Sequence, residues 1–396
     1  MIRKVPIIDS PVGPSDIVYA LSRSADRFAV PELETIMSGH TGCRYIHTVD
    51  SGIAALYIIL KALSAVSAKT EVILPAYTAG SLVVAVRRAG LSPVLCDISF
   101  RDFNCDADAI LRTVSDRTLA VVCVHMFGVE MAGIKDLKAR LPAGVTLVED
   151  CAQAMGSSIG GAPVGSFGDV SFFSFNRGKN LAACGGGCIA TNIGGMSESI
   201  SRVKSRMGMA RGRSEIMSLL KLAAFAAAVN PYVYGALFGL ISRFKDTAPP
   251  LDFEIAEMSF FDAALTVKLF RRFGAMSEKR HANGIFLTKA LKDMTGLTLP
   301  SVSGPGKTIF NRFPVVFKDC RARDRAMRAI WRSGVESSRM YLRPLHHMFD
   351  LGYRREDFPN ACALAQGILT LPVHPSVGSK DLARSVEAVR ESLRWG

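Results

Sequence analysis

The sequence lacks several features that would settle its class early. Its nine cysteines form no CxxC pair and are too few among 396 residues for a disulfide scaffold. Cys43, Cys96, Cys105, Cys123, Cys151, Cys184, Cys188, Cys320 and Cys362 are expected as reduced thiols in a cytosolic setting, with no zinc site. No helical segment carries an HxxxH ligand pair. There is no tandem repeat and no low-complexity tract. Nothing reads as a helix-turn-helix, a finger or an RNA-binding signature, which argues against a nucleic-acid partner. The opening residues, MIRKVPIIDSPVG, hold no apolar run of the kind a secretory signal needs, so no cleaved leader is expected.

What is present is a large apolar fraction and an excess of positive charge. Hydrophobic residues make up 49% and charged residues 21%, enough to build a substantial core and to exclude a disordered chain. Lys and Arg number 48 against 35 Asp and Glu, a net charge of +13. Such a field suits an anionic partner: a nucleotide, a phosphosugar or an anionic membrane surface. Helix-period and short apolar segments alternate from residue 51 to 192: SGIAALYIILKALSA, EVILPAYT, SLVVAVRRAG, PVLCDI, ADAILRTVSD, LAVVCVHMFG, MAGIKDLKARL, TLVEDCA, VSFFSF and GGCIATN. This alternation predicts an α/β fold, a mostly parallel sheet with helices on both faces. After about residue 250 the pattern changes. One helix around 259–293 is expected, then TIFNRFPVVF as strand, RDRAMRAIWRSG as helix, LTLPVHP as strand and KDLARSVEAVRESLRW as helix. The chain therefore divides into a larger lobe, 1–250, and a smaller α+β C-terminal lobe, 251–396.

Ligands on parallel sheets sit beyond the carboxyl ends of the strands, so polar residues placed there are the candidates. Lys179 follows an apolar strand and precedes a glycine cluster in FSFNRGKNLAACGGG. Small apolar neighbours would lower its amine pKa by desolvation and favour Schiff-base chemistry; alone, it also reads as an ordinary loop lysine. Asp150 ends the strand TLVED, and Gln153 lies three residues on. Such an Asp is either a helix cap or a ligand-binding acid. Ser51-Gly52 starts a helix whose N–H groups could hold a phosphate, and Ser174 stands in the strand before Lys179. The order matters more than any member. A phosphate cradle, an acid and an amine in one α/β lobe are the three things pyridoxal 5'-phosphate (PLP) requires.

The motifs SGIAAL, EVILPAYT, AGLSPVLCDI, VHMFG, VEDCAQAMGS, PVGSFGDVSFFSFNRGKN, GGGCIATN and FPNACALAQGILTLPVHP together resemble the DegT/DnrJ/StrS sugar aminotransferases, fold-type I PLP enzymes. The likeness covers most of residues 40–200 and 255–396. It implies that Lys179 carries the cofactor as a Schiff base, that Asp150 pairs with its pyridinium nitrogen and that Gln153 bonds its ring hydroxyl. It further implies that Ser174 and the backbone of Gly52, Ile53 and Ala54 hold its phosphate. It also implies a homodimer with the site at the subunit interface, an amino-acid donor such as glutamate, and a keto-sugar acceptor, nucleotide-linked, in polysaccharide, lipopolysaccharide or aminosugar synthesis. Four positions depart from the family's commoner pattern. Ile53 replaces a phosphate-binding Thr, Ala79 a ring-stacking aromatic and Gly185 a Glu. Ile255 falls near an Asn that reaches the partner's phosphate. Fewer contacts to a retained cofactor are expected. A diverged PLP-fold sugar enzyme and a membrane-docked, weakly catalytic partner in glycan assembly stand as alternative readings. The dehydratase branch typically replaces the lysine by His, which Lys179 argues against.

Further residues have two readings each. His125 in VHMFG is either structural or assists in the site. Arg177 meets a substrate anion or solvent, and Asn180 flanks the lysine on its other side. Tyr341 and His346 lie in a stretch that lines the substrate entrance in the family. His347 and His374 also fall in the smaller lobe. An apolar insertion, 216–244, interrupts the family pattern, with Lys221 its one formal charge between Ile216 and Ser242. Asn230-Pro231 splits it into two helical pieces of roughly 18 Å each, too short for a hydrocarbon core of about 30 Å. A full crossing would also put the two lobes on opposite sides of the membrane. The insertion therefore packs against the body or the dimer partner, or dips into one leaflet. Arg206, Arg211, Arg213, Arg243 and Lys245 flank it and suit an anionic cytoplasmic surface.

Overall fold

Short apolar strands alternate with helices to build the larger part of the molecule. The computed structural model describes residues 3–183, 185–207, 215–241, 252–302 and 306–394. Helices α1 (Pro14–Ser22) and α2 (Ala29–Thr41) come first, then strand β1 (Tyr45–Val49) and helix α3 (Gly52–Ser64). There follow β2 (Glu71–Pro75), α4 (Ser81–Arg88), β3 (Ser92–Cys96), α5 (Ala107–Thr113), β4 (Thr118–Val124), α6 (Ile134–Arg140) and β5 (Thr146–Asp150). A small hairpin, β6 (Ser158–Ile159) and β7 (Ala162–Pro163), precedes β8 (Val170–Ser174), β9 (Gly187–Thr191) and α7 (Gly194–Arg206). Helices α8 (Glu215–Ala228) and α9 (Pro231–Ile241) form the apolar insertion, and α10 (Phe260–Phe270) and α11 (Phe273–Leu291) come next. The chain ends with β10 (Leu297–Thr298), β11 (Gly306–Lys307), β12 (Phe313–Phe317), α12 (Cys320–Arg332), α13 (Pro359–Gly367), β13 (Ile368–Leu371) and α14 (Ser379–Leu393).

The large sheet has seven strands in the order β1-β9-β8-β5-β4-β2-β3. Strand β9 runs antiparallel to both its neighbours, while β8, β5, β4, β2 and β3 pair in parallel. Every residue of β2, β4, β8 and β9 is buried, as a sheet covered on both faces demands. A second sheet, β10-β12-β13, is antiparallel and carries α12 and α13, with α14 packed on α12. Strand β11 pairs with β6, so the late part of the chain is stitched to the hairpin after β5. This is the expected α/β architecture of a large, mostly parallel sheet with a smaller α+β region.

The single helix expected over 259–293 is two. It breaks at Arg271-Arg272, where Arg272 reaches Asp16 at 2.6 Å and the Pro11 carbonyl at 2.5 Å. Helix α10 packs on α1 and α2 in a core of its own with Phe173, Phe175 and Leu181. The insertion does split at Asn230-Pro231. Asn230 Oδ1 accepts from the Tyr232 N–H at 3.0 Å, and Lys4 N–H donates to the Pro231 carbonyl at 2.8 Å. One side of the pair is buried in the body through Leu222, Phe225 and Tyr234. Leu220, Tyr232 and Val233 are 58%, 62% and 40% exposed. Among the described residues no helix is long and apolar enough to cross a membrane. The flanking Arg211, Arg213, Arg243 and Lys245 lie outside the described residues, as does Cys184.

Candidate active site

The carboxyl ends of β1, β2, β5 and β8 converge on a cavity of about 460 Å³ lined by Ser51, Gly52, Thr78, Asp150, Gln153, Lys179 and Tyr341, among others. That size suits a small organic ligand.

Lys179 is placed by a turn that only a few bonds define. Gly178 adopts φ +73°, which favours glycine, and a Cβ there would press on Ile8 Cγ2 at 3.0 Å. Asn180 Nδ2 donates to the Met155 and Ile309 carbonyls at 3.0 Å each. Asn311 Nδ2 donates to the Gly178 carbonyl at 2.7 Å. The lysine is thus held from both sides of its loop. Burial lowers its pKa, the Asp150 carboxylate opposes that, and the Arg312 guanidinium adds to it. A neutral, nucleophilic amine is favoured relative to a solvated lysine.

Asp150 ends β5 and is buried. Burial raises its pKa, against the influence of Lys179, the Ala152 N–H at 2.9 Å and His125. A cation placed against it would be strongly held, because the carboxylate has one main-chain donor and little water.

The start of α3 forms the opposite wall. Ser51 is its N-cap, and Ser51 Oγ accepts from the Ala54 N–H at 3.3 Å. A Cβ on Gly52 would lie 2.8 Å from Ser174 Cβ, and one on Gly187 would lie 2.8 Å from Gly52 N. These glycines let α3, β8 and β9 approach one another closely along the wall of the cavity. The N–H groups at the start of α3 and the positive end of the helix suit a phosphate. The Ala54 N–H is already engaged by Ser51, so of the three backbone positions inferred from the sequence it has the weakest claim.

Gln153 Oε1 accepts from the Phe127 N–H at 3.1 Å, which turns its amide nitrogen to Tyr341 Oη at 3.3 Å. Tyr77 Oη donates to the Tyr341 carbonyl at 3.1 Å, and the two rings meet edge to face at 5.6 Å. Burial, with the Asp150 charge second, pushes the Tyr341 hydroxyl up to about 12, so it stays a proton donor at neutral pH. The three things PLP requires are present, an amine, an acid and a helix start for its phosphate, together with a ring-edge amide at Gln153 and a hydroxyl at Ser174. The residues fit that cofactor.

Other candidates are resolved differently. His125 is fully buried. Its Nδ1 accepts from the Met131 N–H at 3.0 Å, so Nε2 carries the proton toward Glu149 at 3.0 Å, and the structural reading holds. Arg177 lines the cavity, but its guanidinium lies over the Phe225 ring of α8 at 5.6 Å. His346 is absent from the cavity lining, whereas Tyr341 belongs to it. His374 Nε2 meets the Pro6 carbonyl at 2.9 Å and serves packing. Ala79 lines the cavity with no ring to offer, and Ile255 packs partly buried on the main core. A Cβ at Gly185 would stand 3.2 Å from the Asp262 carboxyl group, which takes the space a Glu there would use. Reading the sequence missed Asn311 and Thr78. NRFP after a long gap gave no local hint that Asn311 folds back onto the lysine loop.

The DegT/DnrJ/EryC1/StrS aminotransferase profile matches residues 28–390. A UDP-N-acetyl-3-dehydro-α-D-glucosamine 3-aminotransferase of Acidithiobacillus ferrooxidans is 27% identical over 91% of this chain and 88% of its own. A dTDP-3-amino-3,4,6-trideoxy-α-D-glucose transaminase of Micromonospora megalomicea is 29% identical over 92% of this chain and 90% of its own. Among solved structures, the Helicobacter pylori aminotransferase PseC, involved in pseudaminic acid biosynthesis, superimposes with a TM-score of 0.79 at 16% identity, covering 100% of both chains.

Proposed function

The chain belongs to the DegT/DnrJ/EryC1/StrS aminotransferase family, and from that premise we propose that it moves an amino group from an amino acid, glutamate by preference, to a nucleotide-linked keto-sugar. The observation that carries this reading is the desolvated Lys179 amine sharing one cavity with the buried Asp150 carboxylate and the Ser51-capped N-terminus of α3. PLP, when bound, supplies an electron sink for the carbanion left at the donor's α-carbon.

The residues divide the remaining work. Gly52 and Ile53 offer their N–H groups to the phosphate, and Ser174 adds its hydroxyl. Asp150 holds the proton on the ring nitrogen by pairing its buried carboxylate with it. Gln153, oriented by the Phe127 N–H, presents its amide nitrogen to the ring's hydroxyl edge. Lys179 Nζ, its pKa lowered by burial, would take the proton from the donor's α-carbon and return it one position along. With a keto-sugar as second substrate the same Nζ delivers protons in the reverse order. Tyr341 lines the cavity beside Gln153 and offers its hydroxyl there. The +13 charge of the chain favours a diphosphate-bearing acceptor.

The setting we propose is cytoplasmic synthesis of a surface polysaccharide or another aminosugar product, by a homodimer. The insertion's exposed Leu220, Tyr232 and Val233 would cover the partner or rest on the inner membrane surface. The direct test is spectroscopic. Purified holoprotein should absorb at the Schiff-base band, and glutamate should shift that band. Borohydride reduction followed by peptide mass analysis should place the cofactor on Lys179. A colourless protein, or reduction that leaves Lys179 unmodified, overturns the reading. A screen of nucleotide-linked keto-sugars then identifies the acceptor.

A further inference from the structure

Away from the cavity, the described residues bring together two groups of metal-ligand side chains, His125 with Glu149 and Cys151, and His346 with His347 and Cys362. The first is fully buried, and its His and Glu are saturated by hydrogen bonds. The second is half-buried and open to ions from solvent.

His346 and His347 sit side by side on a 3-10 turn, Leu345–His347, and Cys362 is in the first turns of α13. Cys362 Sγ lies 3.8 Å from His346 Nε2 and 3.9 Å from His347 Nε2. The Arg355 carbonyl oxygen lies 2.8 Å from His347 Nε2, 3.4 Å from His346 Nε2 and 3.8 Å from the sulfur. In a tetrahedral zinc site, bonds of about 2.3 Å to sulfur and about 2.0 Å to nitrogen put those ligand atoms about 3.5 Å apart. Five of the six edges among these four atoms lie between 2.8 and 3.9 Å, which brackets that spacing.

One further feature suits a cation: the Asp357 and Asp97 carboxylates stand close enough to His346 to favour positive charge there. We infer that His346, His347 and Cys362, with the Arg355 carbonyl at the fourth corner, bind one zinc-type divalent transition-metal ion. Spacing along the sequence hid this set, because fifteen residues separate His347 from Cys362 and the turn at Phe358, φ +59°, brings them together. The ion would pin the segment carrying Tyr341 to α13; Leu345 N–H already ties that segment to the Ala76 carbonyl at 2.8 Å. The site stands independently of the aminotransferase reading.

Cobalt(II) serves as the probe, added to tag-free full-length protein at neutral pH. One equivalent should give the visible bands of tetrahedral cobalt together with a thiolate-to-cobalt charge-transfer band. Cys362→Ser should remove the charge-transfer band, and His347→Ala should weaken binding by at least about tenfold. Zinc should raise the melting temperature of the parent chain and of neither variant. Metal-free melting curves establish that both variants fold. Absence of the tetrahedral spectrum in the parent chain overturns the site. So does a spectrum that survives unchanged in both variants.

Discussion

Glu149 and Asp150 are neighbours on β5, both buried, yet they face opposite sides of the sheet and meet different surroundings. On one side, Glu149 accepts from the N–H groups of Gly165 at 2.9 Å, Phe167 at 2.7 Å and Gly168 at 2.6 Å, and from His125 at 3.0 Å. On the other, Asp150 accepts from the Ala152 N–H and opens onto the cavity. The first carboxylate is solvated by its own protein and shapes the loop that leads into β8. The second is left short of partners where a ligand can supply one. A buried acid marks a site when its hydrogen bonding is incomplete, and a scaffold when it is complete.

The comparison can be broken in order of effect. Lys179→Ala should cut amino transfer by about a thousandfold or more while the cofactor-free chain keeps its melting temperature. Single-turnover absorbance and calorimetry check the two halves of that statement. Asp150→Asn should lower turnover by about a hundredfold and leave cofactor-free stability unchanged or slightly higher. Its sign with pH is fixed by the raised pKa of Asp150. The fold favours the protonated acid, so the stability it contributes is complete below the unfolded carboxylate value of about 3.9 and lost as pH rises through the folded value. Relative to the parent, Asp150→Asn should gain stability as pH rises over that window, read from urea unfolding at a series of pH values.

Glu149→Gln should show the opposite profile, a loss of about 3 kcal/mol in urea unfolding from leaving N–H donors unmatched. If it proves silent while Asp150→Asn unfolds the protein, the contrast between the two acids fails. Gly52→Ala, whose Cβ would meet Ser174 at 2.8 Å, should weaken PLP binding by about tenfold, measured by absorbance titration. Smallest of all, Tyr341→Phe keeps the ring contact with Tyr77 and loses the Gln153 partner. A reduction of about threefold in kcat is expected, since one neutral hydrogen bond is removed.

Much of this was legible in the residue order because strand ends and helix starts have local signatures. Ser51-Gly52, the carboxyl end of TLVED and the glycines around Lys179 all declare themselves within a few positions. What was not legible depends on distant partners. Nothing near Asn311 says that it clamps Gly178, and nothing near Arg271-Arg272 announces a helix break. The break follows from Arg272 reaching Asp16 and Pro11, both more than 250 residues earlier. Gln153 was recognisable as a site residue, but its orientation comes from the Phe127 N–H. His125 carried a catalytic alternative only because its two ring contacts, Glu149 and the Met131 N–H, lie on other elements.

The crowding of Gly185 by Asp262 couples two positions far apart in the chain. A glutamate at residue 185 would set two like charges against each other behind the lysine loop, so the charge carried at either position constrains what the other can accept.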